Sequence, residues 1–195
     1  MGKIFCLMGK SSTGKDTIYK ELLKKESLGL KTIVPYTTRP IRVGEEEGRE
    51  YHFTDEAGYL KLLEAGKVIE ARAYDTAHGI WRYFTVADES LDLQEHSYLL
   101  IGTVEAFVNL KKYFGETEVC PILVDIDDGE RLQRALTRER VQEHPKYIEM
   151  CRRFIADCQD FAEEKLAEAG ISHRFYNNEL SECTGQIEDY IMTSR

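Results

Sequence analysis

Five short apolar runs punctuate the chain: IFCLM (4–8), TIVPY (32–36), YLLIG (98–102), VCPILVD (119–125) and SHRFY (172–176), each bounded by turn-forming residues. Most are too short for helices, and they suit strands buried on both faces, as a parallel sheet requires. Between them apolar residues recur at helical spacing: Ile18, Leu22, Leu23; Tyr59, Leu60, Leu63; Val104, Phe107, Val108; Leu132, Ala135, Leu136; then Tyr147, Met150, Phe154, Cys158, Phe161. Strand and helix in alternation predict a three-layer α/β fold around a central parallel sheet.

Residues 37–90 break this rhythm. TTRPIRVGEEEGREYHF (37–53) reads as turn and short strand, a helix follows, and KVIEARAY and IWRYFTV form an antiparallel pair. The pattern predicts a small lobe inserted into a core made of residues 1–36 and 91–195, all within one domain. A second irregular stretch, RERVQEHPKY, separates two helices around Pro145 and predicts a mobile lid at about 138–150.

Composition narrows the partners. A chain of 195 residues with 42% hydrophobic content can bury a sizeable interior. Its net charge of -9 argues against a protein that tracks a nucleic-acid backbone. No run approaches the ~20 apolar residues of a membrane span. Five cysteines (Cys6, Cys120, Cys151, Cys158, Cys183) form no Cys-x-x-Cys pair and read as reduced thiols in a cytoplasmic protein. The histidines (52, 78, 96, 144, 173) are scattered without ligand spacing, so no metal role is expected of them.

The sharpest chemical signal is LMGKSSTGKDT, residues 7–17. Gly9, Gly14 and Lys15 fit Gly-x-x-x-x-Gly-Lys-[Ser/Thr], after a strand and at the start of a helix, the context a phosphate-binding loop demands. Backbone N–H groups of Gly9, Lys10, Ser11, Ser12, Thr13, Gly14 and Lys15 would cradle a phosphate at the helix N-terminus, with Lys15 neutralising its charge. The eighth position, where a hydroxyl should face a magnesium ion, is Asp16. Thr17 is a weaker substitute, because adjacent helix residues point about 100° apart.

Arg39 and Arg42 flank Pro40, and with Tyr51 they offer two guanidinium forks and a phenol to a dianionic phosphate. A solvated loop whose arginines pair with Glu45–Glu47 is the alternative. In ERLQRALTRER (130–140), Arg131, Arg134 and Arg138 share one helix face, and Leu132, Ala135 and Leu136 line the other. A solvated basic face explains Arg131 and Arg140. Glu70, taken alone, fits an outward-facing strand glutamate as well as a ligand-reading carboxylate.

The segment at 37–53 resembles the acceptor-recognition segment of guanylate kinases, in which Thr-Thr-Arg-x-x-Arg-x-Gly-Glu precedes Gly-x-x-Tyr-x-Phe. Thr37, Thr38, Arg39, Arg42, Gly44, Glu45, Gly48, Tyr51 and Phe53 match it. The resemblance runs in order along nearly the whole chain. It implies a three-layer P-loop kinase fold with a central parallel sheet, an inserted nucleoside-monophosphate lobe and a helical lid. It also implies transfer of a phosphoryl group from ATP to GMP with Mg²⁺, by a monomer or homodimer.

Residue by residue, the resemblance assigns the acceptor phosphate to Arg39, Arg42 and Tyr51, and the guanine N1–H and N2 amine to Glu70. Arg134 and Arg138 fall on the lid arginines that close over the ATP phosphates, with Arg153 as a third and Arg152 as its neighbour. Asn177 is placed near the adenine. Three departures follow. Asp16 replaces the loop hydroxyl; Ile101 and Thr103 stand where the family has aspartates; and GIWRYFT replaces Tyr-Tyr-Gly-[Ser/Thr], with Tyr83 and Thr85 as counterparts. Pro35 also stands near a position where the family often has a hydroxyl. A carboxylate gained at Asp16 and lost from the strand end suggests a metal-side charge that has moved; the alternative is that Asp16 favours the positive helix N-terminus. A P-loop kinase with another phosphorylated acceptor, such as a sugar phosphate, and a non-catalytic binding module are the competing expectations.

Overall fold

The computed structural model describes residues 2–42, 44–76, 79–87 and 91–195. Val43, His78 and the far edge of the expected lobe near residue 90 lie outside the described residues. From the N-terminus run β1 (Ile4–Met8), α1 (Lys15–Leu23), a 3₁₀ turn, β2 (Leu30–Thr32), β3 (Tyr36–Thr37), β4 (His52–Phe53) and α2 (Glu56–Glu64). Next come β5 (Val68–Thr76), β6 (Gly79–Val86), β7 (Ser97–Ile101), α3 (Val104–Phe114) and β8 (Val119–Asp125). The chain closes with α4 (Asp128–Arg140), α5 (Tyr147–Asp160), α6 (Glu163–Glu168), β9 (Arg174–Tyr176) and α7 (Leu180–Thr193).

Five strands form a parallel sheet in the order β2-β7-β1-β8-β9. Its central strand β1 is buried along its whole length, and its alternation of side chains explains the layering. Ile4, Cys6 and Met8 face α3 and the Leu166 region, packing with Phe107 and Leu110. Phe5 and Leu7 face the opposite side, where Ile18 and Leu22 of α1 meet Ile187 and Ile191 of α7. Two apolar cores on opposite faces of one sheet make a three-layer α/β fold.

A second sheet, β4-β3-β6-β5, packs its own small core of Tyr59, Phe84 and Val86. Its longest pairing is the antiparallel ribbon of β5 and β6, with Glu70 opposite Thr85 and Arg72 opposite Tyr83. A bulge between Val68 and Glu70 shifts the register there.

The run TIVPY does not form one strand. Its start belongs to β2 in the parallel sheet and its end to β3 in the small one. Pro35, with no N–H to donate, sits at the break. Leu60 and Leu63 on α2 are exposed, and Tyr59 alone of that trio is buried, because the face that α2 turns to the small core runs through Tyr59 and Leu62. No helix among the described residues is long and apolar enough to cross a membrane.

Candidate active site

The turn from β1 to α1 is built around two positions that exclude side chains. A Cβ on Gly9 would stand 2.5 Å from the Val124 carbonyl oxygen of β8. A Cβ on Gly14 would stand 2.2 Å from Asn177 Nδ2, and Gly14 has φ 89°, the left-handed region that favours glycine. Thr13 is buried and donates from Oγ1 to the Lys10 carbonyl (2.9 Å). Asn177 braces the loop from beneath. Its Nδ2 donates to Thr13 O (2.7 Å), and its backbone N–H donates to Asp125 O (2.9 Å). The structure thus sets Asn177 against the phosphate loop.

Other loop residues are tied to neighbouring helices. Lys10 Nζ lies 3.2 Å from Asp128 of α4, and Ser11 N–H donates to Asp157 Oδ2 of α5 (2.7 Å). Ser12 has φ 67°, and its Oγ is buried without a partner. Lys15 opens α1, with Nζ 3.7 Å from Asp16 Oδ2. The Asp16 side chain is 74% exposed, and Thr17 is exposed too.

On α4 the expected partition of faces is corrected. Arg131, Ala135 and Glu139, spaced four apart, form the buried stripe, whereas Leu132 is exposed. Arg131 is 1% exposed rather than solvated. Its Nε donates to Asp128 (2.9 Å), its Nη1 to Asp157 (3.3 Å) and its Nη2 to the Cys158 sulfur (3.5 Å), and its guanidinium lies 3.8 Å from the Phe154 ring centroid. Burial is tolerable because the charge is paired and its donors are used. Sequence reasoning missed this hub, for Asp157 lies on the next helix and nothing local marks the pairing.

Arg134 Nη2 donates to Asn177 O (3.1 Å), which puts its guanidinium beside Gly14. Arg138 and Arg153 line one cavity of about 210 Å³ with Ser11 and Ser12. Arg153 is also 2.9 Å from Glu149 on its own helix, a carboxylate it shares with Arg152.

Beside the small sheet, Arg39 is 3% exposed and grips Glu45 with both forks, Nη1 to Oε2 (2.8 Å) and Nη2 to Oε1 (2.6 Å). Its guanidinium lies 5.1 Å from the Tyr51 ring centroid, and Tyr51 meets Tyr83 edge-on at 5.6 Å. Arg42 is exposed, with its backbone N–H on Glu45. Glu70 is buried, and its Oε1 accepts from Thr85 Oγ1 (2.9 Å), so the outward-facing reading of this glutamate fails. Thr103 caps α3, accepting from Ala106 N–H (3.2 Å).

The Arg39 hydrogen bonds, helped by the Arg42 backbone N–H, pull the Glu45 carboxyl down to about 2. The folded value is below the unfolded one, so this stability is complete above about pH 4.5 and is lost as pH falls toward 2. Urea midpoints measured from pH 6 to pH 2.5 should fall across that window, and less steeply in Glu45→Gln. Glu149, also held down to about 2, sits between exposed arginines and adds little.

Both halves of the site gather at one edge of the parallel sheet. The phosphate loop leaves the carboxyl end of β1, and the slot containing Glu70 and Thr85 abuts Ile101 and Gly102 at the carboxyl end of the adjacent β7. That edge is where open α/β sheets bind ligands. Among the described residues, the buried side-chain polar atoms without a hydrogen-bond partner are Ser12 Oγ, Arg39 Nε, Glu70 Oε2 and Arg72 Nε. Ser12 Oγ lies in the phosphate loop, Arg39 Nε beside the Tyr51 ring, and Glu70 Oε2 and Arg72 Nε in the slot, and buried groups without a hydrogen bond in a folded protein call for an explanation. An open groove of about 920 Å³, lined by Arg72, Thr103 and Asn109, runs beside the slot.

The chain matches the "Guanylate kinase" family model over residues 1–191. It is 29% identical to the guanylate kinase of Anaplasma phagocytophilum over 73% of this chain and 67% of that protein. It is 28% identical to that of Paraburkholderia xenovorans over 93% of this chain and 77% of that protein. With the Thermotoga maritima enzyme it shares 34% identity over 60% of this chain and 55% of the relative, so some matches span less than two thirds of the relative. The fold is similar to the crystal structure of guanylate kinase from A. phagocytophilum, with TM-score 0.69 and 19% identity over 98% of this chain and 85% of that one. A phosphate loop and a carboxylate slot on one sheet edge, together with a family match that runs almost end to end, place this chain in the guanylate kinase family.

Proposed function

We propose that this chain transfers the γ-phosphoryl group of ATP to GMP, giving ADP and GDP. The observation that carries the reading is a set of four buried polar atoms without a hydrogen bond: one in the phosphate loop, one on Arg39, and two in the slot, Glu70 Oε2 and Arg72 Nε, which form a 3.3 Å ion pair with each other. A donor phosphate, an acceptor phosphate and a purine edge are ligands that such atoms would satisfy.

The acceptor phosphate is already ionised, so no general base is required, and the protein works by positioning and charge. Arg39 keeps its Nε for that phosphate while Glu45 holds the rest of the guanidinium in place. Arg42 and Tyr51 complete the clamp, with Tyr83 packed behind the phenol. Glu70 takes the N1–H and N2 amine of guanine, oriented by Thr85. Lys15 and Arg134 neutralise charge at the donor phosphates, and Arg138 and Arg153 reach in from α4 and α5 as the lid closes and excludes water. Arg153 must exchange Glu149 for phosphate to do so. Five free cysteines support a reducing, cytoplasmic setting.

Magnesium accompanies ATP in this reading. Magnesium keeps several waters and is commonly held by substrate phosphates with one or two carboxylates. Asp16, exposed beside Lys15, is the one loop carboxylate available to that ion or to its waters. When bound, the ion would offset charge on the β- and γ-phosphates.

ADP release measured with GMP, dGMP, AMP, CMP, UMP and sugar phosphates tests the reading. Saturable turnover with GMP supports it, and its absence at millimolar GMP overturns it. Asp16→Asn should raise the magnesium needed for half-maximal activity; full activity of Asp16→Ser at unchanged magnesium would rule out the relocated carboxylate.

A further inference from the structure

The slot beside β7 contains a cation that the reading above leaves without a task. Arg72 follows Glu70 by two residues on β5, so both side chains leave the same face of the ribbon. Arg72 Nε lies 3.3 Å from Glu70 Oε2, yet neither atom has a hydrogen bond, so the pair is close without being aligned. The arginine lines both the narrow slot and the open groove alongside it.

The rest of the slot supplies few donors. Ile33, Pro35, Leu100, Ile101 and Ala106 are apolar or lack an N–H, Thr85 Oγ1 is committed to Glu70, and Gly102 N–H is committed to Leu7 O. A guanine seated with its N1–H and N2 amine on Glu70 presents two acceptors, O6 and N7, along its other edge. Leaving such acceptors buried and unpaired is costly. A guanidinium fork matches O6 and N7 together, the pairing by which arginine reads guanine elsewhere.

We propose that Arg72 is a specificity-determining residue that donates to O6 and N7 of the acceptor guanine, taking the place of hydroxyl and aspartate partners that Pro35, Ile101 and Thr103 no longer provide. The slot holds only about 10 Å³ with the Arg72–Glu70 pair at 3.3 Å, so the pair must part to seat the base, and while it is closed the same guanidinium screens the Glu70 carboxylate. When the base enters, Glu70 and Arg72 divide its two edges between them. The assignment rests on GMP being the acceptor.

Steady-state kinetics of wild type, Arg72→Ala and Arg72→Lys with GMP, IMP and 7-deaza-GMP test it, with thermal melting to confirm folding. IMP keeps O6 and N7 but lacks the N2 amine, and 7-deaza-GMP lacks N7. Arg72→Ala should raise KM for GMP and IMP alike by about 10- to 100-fold, with a smaller change in kcat. Arg72→Lys, charged but without the fork, should recover only part of the loss. Wild type should bind 7-deaza-GMP more weakly than GMP, and Arg72→Ala should no longer distinguish them. If wild type turns over GMP but Arg72→Ala has an unchanged or lower KM, the assignment alone is wrong, and a lower KM marks Arg72 as an obstruction. If wild type does not turn over GMP, the assignment and the proposed function fail together.

Discussion

Arg134→Met is expected to lower kcat by about a thousandfold or more while leaving the protein folded. Its guanidinium is held beside Gly14 by the hydrogen bond from Nη2 to Asn177 O, and no ion pair engages it among the described residues. Its charge is therefore free to meet negative charge spreading over the transferring group. The substitution removes one hydrogen bond to a backbone carbonyl, worth about 1–2 kcal/mol, so stability should change little. Single-turnover kinetics measure the chemical step, and urea denaturation measures the fold. Arg134→Lys should recover part of the rate, since it restores the charge without the fork. A kcat within tenfold of wild type would remove Arg134 from the transition state.

Arg131→Met acts at the opposite extreme, on the fold. The side chain is fully buried and holds Asp128, Asp157 and the Phe154 ring together. Methionine fills much of the volume but leaves Asp157 partly buried, with only Ser11 N–H as its partner. Breaking such a pair should cost about 3 kcal/mol. In a chain of this length that lowers the melting temperature by roughly 10 °C. Asp157→Asn in the same background should cost less than its separate effect, because the two residues share one interaction. Since Asp157 also holds the phosphate loop, KM for ATP should rise too. A loss under 1 kcal/mol would mean that the hub adds little to the fold.

Much of the architecture could be read from short-range patterns. The runs at 4–8, 98–102 and 119–125 appear as β1, β7 and β8, within a residue at each end, because a strand buried on both faces needs an uninterrupted apolar stretch. The antiparallel ribbon was visible in KVIEARAY and IWRYFTV for the same local reason. TIVPY misled because its apolar content was continuous while its hydrogen-bonding capacity was not: Pro35 divides it between two sheets. On α2 and α4 the spacing of apolar residues identified helices correctly but assigned the wrong faces, since the depth of a core depends on what packs against it.

The candidate site divides in the same way. Gly9, Gly14 and Lys15 could be recognised from their spacing, as a loop of fixed length between a strand and a helix is a local object. Arg39, Glu70 and Thr85 were named through the family pattern, and pairing of the arginines with Glu45–Glu47 was one of the sequence's own alternatives, but the sequence did not reveal that Arg39 is buried in its pair with Glu45 rather than solvated or that Glu70 is buried against Thr85. Arg72 carried no signal.

By itself the sequence determined the three inner strands of the parallel sheet, the phosphate loop and the residue types able to handle phosphate, because these depend on periodicity and on contacts a few residues apart. The tertiary structure alone decided which charges are buried and with whom. Asp157 reaches back to Ser11 and Arg131, Asn177 braces Thr13 and Gly14, and Arg72 shares a slot with β7. Each of these pairings joins groups far apart in the chain, and whether a charge is solvated, paired or left waiting for a ligand is fixed by the desolvation that packing imposes.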